Sequence, residues 1–143
     1  MGAFFLLYIV NEPSEGLDKP IKIDAERFGT ALSTGFSGIE TSLISEDNVA
    51  MKDIAVYFNN WSASDPEMQI SGELFRNNNL YIRANDATRG IAKLMLIYRS
   101  LVPAHRQIDV TGDWVGSEDG EFQLFETLTE DDVIKSIHWL EES

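Results

Sequence analysis

The loop 112–120 holds the side chains that are best suited to binding a ligand or a partner. It contains three acidic residues, three glycines and a tryptophan. A calcium loop of the EF-hand type needs oxygen ligands at its first, third and fifth positions. Counted from Asp113, the third position is Val115, so a calcium site is not predicted. Two interpretations stay open: Trp114 anchors a protein interface, or it folds back onto a sheet within a hairpin connection. On the first interpretation, the partner-binding residues of this segment are Asp113, Trp114, Glu118, Asp119 and Glu121.

Residues for catalysis are scarce. The chain has no cysteine, which excludes thiol catalysis and zinc sites built on thiolates. Its two histidines, His105 and His138, stand in no triad context and lack metal-binding spacing. Residues 35–38 (GFSG) do not match the Gly-x-Ser-x-Gly pattern of a nucleophile elbow, and no Gly-rich phosphate loop is present. We therefore expect no catalytic residue, no metal and no cofactor, although an acid–base pair of carboxylates cannot be located from spacing.

The first half of the chain predicts strands and one helix. Residues 3–10 form an apolar run, too short to cross a bilayer, which predicts a strand buried in the interior of a sheet. Asp24 is the expected N-cap of a helix that Gly35 ends, and Ile23 and Phe28 have the spacing of a hydrophobic staple. Strands are predicted at 39–45, 51–59 and 67–75. A turn of three asparagines leads to a further strand at 80–83.

The second half predicts two helices and two strands. In a helix at 86–101, residues such as Ile91, Leu94 and Tyr98 fall within a narrow arc that faces the core. Strands follow at 107–111 and 121–126. Thr129 caps the last helix, and Asp132 stands at the position that completes a capping box.

This order of elements predicts an α+β class. We expect one domain over residues 1–143, with a mainly antiparallel sheet of about six or seven strands. Three helices cover that sheet, and the order is β-α-β-β-β-β-α-β-β-α.

The negative charge is concentrated at the end of the chain. The formal net charge is −13, and residues 107–143 hold eleven acidic residues but one basic residue. The preceding 106 residues hold thirteen acidic and ten basic residues. The acidic third is either a solvated face or a docking surface, which would speed the capture of a basic partner.

Trp139 is the second candidate anchor. On an ideal helix it lies about 200° from the core-facing Ile137, on the same side as Asp132. Either another element covers the ring, or Trp139 is exposed and binds a partner together with Asp131 and Asp132. We predict partial exposure and a loss of partner affinity on the order of 2 kcal/mol for Trp139→Ala.

Basic residues cluster around the second predicted helix. Among them are Arg83, Lys93 and Arg99, with Asp86 as the acidic residue in their midst. Against a net charge of −13, this cluster is a weak nucleic-acid site, so neither nucleic acid nor a membrane is expected as a partner. We expect these cations to pair with the acidic last third. The absence of cysteine and of an export signal favours the cytoplasm.

The features together favour a small binding protein. No motif identifies a family, so the argument is one of class. Immunity proteins that neutralise bacterial toxins are small and often acidic, and their toxins are frequently basic nucleases. We therefore expect an inhibitory protein that binds a basic, toxin-like protein directly. The alternative is a small enzyme or ligand-binding domain of unknown substrate, which a deep polar pocket at His105 or His138 would favour.

Overall fold

The computed structural model describes residues 3–10, 21–85, 87–112 and 121–138. These ranges hold seven strands, three α-helices and two short 3₁₀ helices, and the α-helices and strands follow the predicted order. The α+β prediction is therefore confirmed. The elements are β1 (Ala3–Ile9), α1 (Ala25–Gly35), β2 (Glu40–Leu43), β3 (Ile54–Asn59), β4 (Ile70–Phe75), β5 (Leu80–Ala84), α2 (Thr88–Ser100), β6 (Ile108–Gly112), β7 (Glu121–Gln123) and α3 (Glu130–His138).

The described strands form one antiparallel sheet in the order β2-β3-β4-β5-β1-β6-β7. Strands β2 to β5 form a meander, because each pairs with the next along the chain. β1 lies between β5 and β6, with Leu6 opposite Tyr81 on one side and Thr111 on the other. The prediction of an interior first strand is confirmed, and β2 and β7 are the two edges.

One hydrophobic core lies between the sheet and the three helices. Alternate residues of the strands face it, because side chains along a strand point to opposite faces. Residues from each α-helix belong to the same buried cluster. Its largest fully buried members include Phe5, Phe28, Phe36, Phe58, Leu7 and Tyr98.

β1 is buried on one face only. Phe5 and Leu7 are fully buried, whereas Phe4 is 43% exposed. Phe4 stacks on Tyr81 with ring centroids 5.7 Å apart, and the Arg83 guanidinium lies over the Tyr81 ring at 5.2 Å. The apolar run predicted burial of the whole strand. Phe4 is instead covered in part by its neighbours on the sheet, because the buried helix residues pack with Phe5 and Leu7 on the opposite face.

Several strands are shorter than predicted. β4 begins at Ile70 rather than at residue 67, because a 3₁₀ helix covers Pro66–Met68. The Asp65 side chain accepts a hydrogen bond from the Glu67 N–H and caps that helix. Within β4 the predicted alternation holds, with Ile70 and Leu74 fully buried in the core.

The α-helices are short, and α1 and α3 begin at the predicted side-chain caps, whereas α2 begins at Ala87 without one. Asp24 accepts hydrogen bonds from the N–H groups of Glu26 and Arg27 at the start of α1. The staple partners Ile23 and Phe28 are both buried. The helices have 11, 13 and 9 residues, and none in the described part of the chain is long and apolar enough to cross a membrane.

Candidate functional site

The structure describes the side chains of two of the eight residues that the sequence predicts to bind a partner. Asp131 is exposed in the first turn of α3, and Asp132 beside it is half-buried. Glu121 is the first residue of β7 and pairs with Thr111, but its side chain lies outside the description. The other predicted residues, Asp113, Trp114, Glu118, Asp119 and Trp139, lie outside the described residues.

Asp132 belongs to the helix start. Its Oδ2 accepts a hydrogen bond from the Thr129 N–H at 2.9 Å, and the Asp132 N–H donates to Thr129 Oγ1 at 3.2 Å. This is the predicted capping box. The hydrogen bonds from Thr129 hold the pKa of Asp132 below its usual value. Asp132 therefore positions α3, while Asp131 presents its carboxylate to solvent.

Phe125 is an exposed aromatic side chain that the sequence analysis missed. The ring is 55% exposed, and the next residue, Glu126, is exposed as well. A turn follows, in which the Leu128 N–H donates to Phe125 O at 3.2 Å. The signal was present: Leu124 is apolar and buried, so an extended segment places Phe125 on the other side. The acidic surface, as we name it, consists of Phe125, Glu126, Glu130 and Asp131.

The buried side chain of Arg99 binds the main chain next to the acidic surface. It lies in α2 and is 5% exposed. Its Nη1 donates to Arg106 O at 2.8 Å and to Leu124 O at 3.2 Å. Its Nη2 donates to Pro103 O at 2.6 Å and to Val102 O at 3.3 Å. One guanidinium thus joins the end of α2, the connection to β6 and the residue before Phe125.

Burial and a neighbouring carboxylate have opposite effects on the pKa of Arg99. Burial lowers the pKa of Arg99, and the Glu126 carboxylate opposes that effect. The acidic surface therefore also stabilises the buried cation that positions it. Carbonyl groups accumulate at the C-terminal end of a helix, and this is where a cation is favoured.

Two other basic residues have different partners from those expected. Arg83 pairs with Glu73, Nη2 to Oε1 at 2.8 Å, within the sheet. Lys93 lies over the Phe36 ring at 5.5 Å. Neither of these described partners belongs to the acidic last third, because register and helix packing bring Glu73 and Phe36 close to the two cations.

A cavity of about 350 Å³ lies beside Phe125. Its lining includes His105, Arg106, Gln107 and Glu126, so it combines groups of both charges. His105 itself is exposed. The alternative interpretation, a small enzyme or ligand-binding domain, would place its pocket here because His105 is part of the lining.

Comparison with protein-family models, with curated proteins and with solved structures gives no match to this chain. Among the residues that the structure describes, no group of three His, Asp or Glu side chains is arranged to hold a metal ion. The functional argument therefore rests on the geometry of the acidic surface and of the cavity beside it.

Proposed function

We propose that this chain is an inhibitory protein that binds a basic protein through its acidic surface. The biological setting that suits this chemistry is an immunity protein that neutralises a bacterial toxin, such as a basic nuclease, inside the producing cell. The observation that carries the proposal is Phe125. Its ring is 55% exposed, and exposed Glu126 and Asp131 lie within six residues of it.

An exposed aromatic ring with exposed carboxylates close to it in sequence is suited to a partner rich in Lys and Arg. The ring supplies apolar contact and attracts a cation to its face. Carboxylates attract the same cations over a longer range. Such a field raises association rates by roughly 10–10³-fold, which benefits a protein that must capture a toxin before it acts.

The first test uses the product of the gene immediately upstream. We expect its expression alone to arrest growth of the host cell, and co-expression of this chain to restore growth. The purified upstream product should bind this chain directly. An upstream product that is harmless, or that does not bind, would contradict the immunity-protein assignment.

The second test asks whether the carboxylates of the acidic surface speed association more than other carboxylates of the chain do. Neutralising Glu126, Glu130 and Asp131 together, to Gln, Gln and Asn, should slow association with the upstream product. Raising the salt concentration from about 50 to 150 mM should do the same. The matched control neutralises three acidic residues before β3 instead: Glu46, Asp47 and Asp53. An association rate that responds equally to both triple variants, or not at all to salt, would contradict docking at the acidic surface.

Two single variants separate binding from catalysis. Phe125→Ala should weaken binding by on the order of 2 kcal/mol, mainly through faster dissociation. Because the ring is exposed, the free energy of unfolding should change by less than about 0.5 kcal/mol. His105→Ala should leave protection of the cell unchanged. A folded His105→Ala variant that loses protection would favour the enzyme or ligand-binding alternative.

A further inference from the structure

The opposite edge of the sheet carries a feature that the proposed function does not use. All four residues of β2 are exposed, including Leu43 at 54%. An edge strand with free N–H and C=O groups is a template for pairing with another extended chain. Among the described strands none pairs with the outer side of β2, which is therefore open to strand addition.

The register shows which main-chain groups of β2 face outward. Ile44 N–H donates to Ala55 O at 2.9 Å, in the same register as the pairs of β2 with β3. In an antiparallel pair, alternate residues exchange hydrogen bonds with the partner strand. Glu40 and Ser42 therefore bond to β3, and the N–H and C=O groups of Thr41 and Leu43 point away from it.

A groove runs beside this edge. Its walls are α1 and β2, and its volume is about 510 Å³. Thr30, Ser33 and Thr34 line it from the helix, and Thr41 and Leu43 line it from the strand. Gly29 faces Leu43 across the groove, and the missing side chain widens it there. We call this site the edge groove.

We propose that the edge groove binds an extended, basic peptide segment, which adds to the sheet as an eighth strand beside β2. Thr41 and Leu43 supply two donors and two acceptors for main-chain hydrogen bonds. A helix beside a free edge strand is a geometry that supports strand addition, in which ladder bonds give affinity and the groove selects side chains.

The charges beside the edge groove indicate which class of peptide segment binds there. Glu26 is the charged residue in the described lining of the edge groove, and Glu40 begins the strand. A second copy of this chain would bring the same carboxylates and a further net charge of −13 to the contact. A segment with Lys or Arg avoids that repulsion and complements Glu26 and Glu40.

This site is separate from the acidic surface. β2 and β7 are at opposite edges of the sheet, six strand spacings or about 29 Å apart. The proposal therefore does not depend on the proposed function, and each is tested separately. Loss of inhibition by the acidic-surface variants would leave peptide binding at β2 unchanged.

The test uses short fluorescent peptides with blocked ends and the full chain. The probe alternates valine and lysine, a second peptide replaces lysine with glutamate, and a third is the valine–lysine peptide with alternate backbone nitrogens methylated. We expect the valine–lysine peptide to bind. Methylation should weaken binding at least about tenfold, because it removes the ladder donors.

The matched variants change one main-chain donor. Leu43→Pro removes the outward N–H but no bond to β3, and proline is tolerated on an edge strand in that orientation. It should weaken peptide binding about tenfold, whereas Leu43→Ala keeps the N–H and should weaken it less than about threefold. Gly29→Met, which fills the groove and leaves the strand intact, covers the case in which Leu43→Pro does not fold.

Four results would overturn the proposal. They are no binding of the valine–lysine peptide, equal binding of the glutamate peptide, binding that neither Leu43→Pro nor Gly29→Met weakens, and a dimer of this chain that Leu43→Pro converts to monomer. The last result would assign β2 to self-association.

Discussion

The segment that leads into α1 and the segment that leads to the acidic surface are each held by one polar side chain from a distant part of the chain. Asn78, in the turn between the central strands β4 and β5, holds residues 21–23, which lead into α1 beside β2. At the β7 end, Arg99 in α2 holds the segment that leads to the acidic surface. Both side chains, which we call anchors, join distant segments, but Asn78 is a neutral amide and Arg99 is a charged guanidinium.

Asn78 is suited to its place because an amide both donates and accepts. Its Oδ1 accepts from the Ile23 N–H at 2.9 Å, and its Nδ2 donates to Ile21 O at 2.6 Å. Its own carbonyl accepts from the Tyr98 hydroxyl. Its φ of +73° is in the left-handed region, which asparagine adopts more readily than most residues.

Arg99 is suited to the other end because a guanidinium only donates. The β7 end offers four carbonyl groups to Arg99, and Glu126 balances part of its charge. The neutral anchor Asn78 thus positions α1, one wall of the groove that we propose for a peptide. A charged anchor accompanies the surface that we propose for a protein.

The largest expected effect comes from removing the charged anchor. Arg99→Met should lower the free energy of unfolding by about 3–4 kcal/mol, because it leaves four carbonyl groups without their donor. Urea denaturation measures the loss. Hydrogen exchange should accelerate first in β7 and α3, and peptide binding at the edge groove should persist. Equal acceleration in β2 and β3 would show that the ends are not independent.

Removing the Asn78 side chain should lower the free energy of unfolding less than removing Arg99, and the local effect should appear beside β2. Asn78→Gly keeps the left-handed backbone but loses two side-chain hydrogen bonds, so stability should fall by about 2 kcal/mol. Asn78→Ala should cost about 1 kcal/mol more, because alanine is strained at a positive φ. The Asn78→Gly variant should weaken peptide binding and leave the acidic surface intact. Equal stabilities of the Gly and Ala variants would contradict the role of the backbone.

A smaller effect, of opposite sign, is expected at Gly29. A Cβ there would meet only Leu43 Cδ2 at 4.0 Å, an ordinary contact. Gly29→Ala should therefore raise the free energy of unfolding by about 0.5–1 kcal/mol, since alanine is favoured inside a helix. Gly90→Ala is the matched control in α2: its Cβ would lie 2.6 Å from Glu67 O, so it should destabilise. A destabilised Gly29→Ala variant would show that the groove has no room for even a methyl group.

The smallest expected effect is a pH dependence confined to the β7 end. The folded pKa of Asp132 is depressed, so its carboxylate stabilises α3 fully above the ordinary aspartate pKa of about 3.9. That stabilisation is lost as the pH falls through the lower folded value. Denaturation of the wild type and of Asp132→Asn from about pH 6 to pH 2 measures it. A difference in stability that stays constant over this range would contradict the assigned role of the carboxylate.

Local signals made much of the fold predictable. The N-caps Asp24 and Thr129 form the predicted hydrogen bonds, because caps act between residues within three positions of each other. The element order was predictable because apolar periods differ between helices and strands. Phe125 was missed because alternation along a strand shows only that its ring lies opposite Leu124, and whether another element covers that face depends on the tertiary structure. The roles of Asn78 and Arg99 left no local signal, since their partners lie up to 57 and 25 residues away.

The sequence by itself determined the kinds of element, where the helices start and where the negative charge lies. Each depends on residue types or on spacings of a few positions. Only the tertiary structure decided that β1 inserts between β5 and β6, with Phe5 opposite both Ile82 and Gly112. That choice left β2 and β7 as the edges. Strand order depends on which apolar faces pack together across the whole chain, and no short window of residues contains that information.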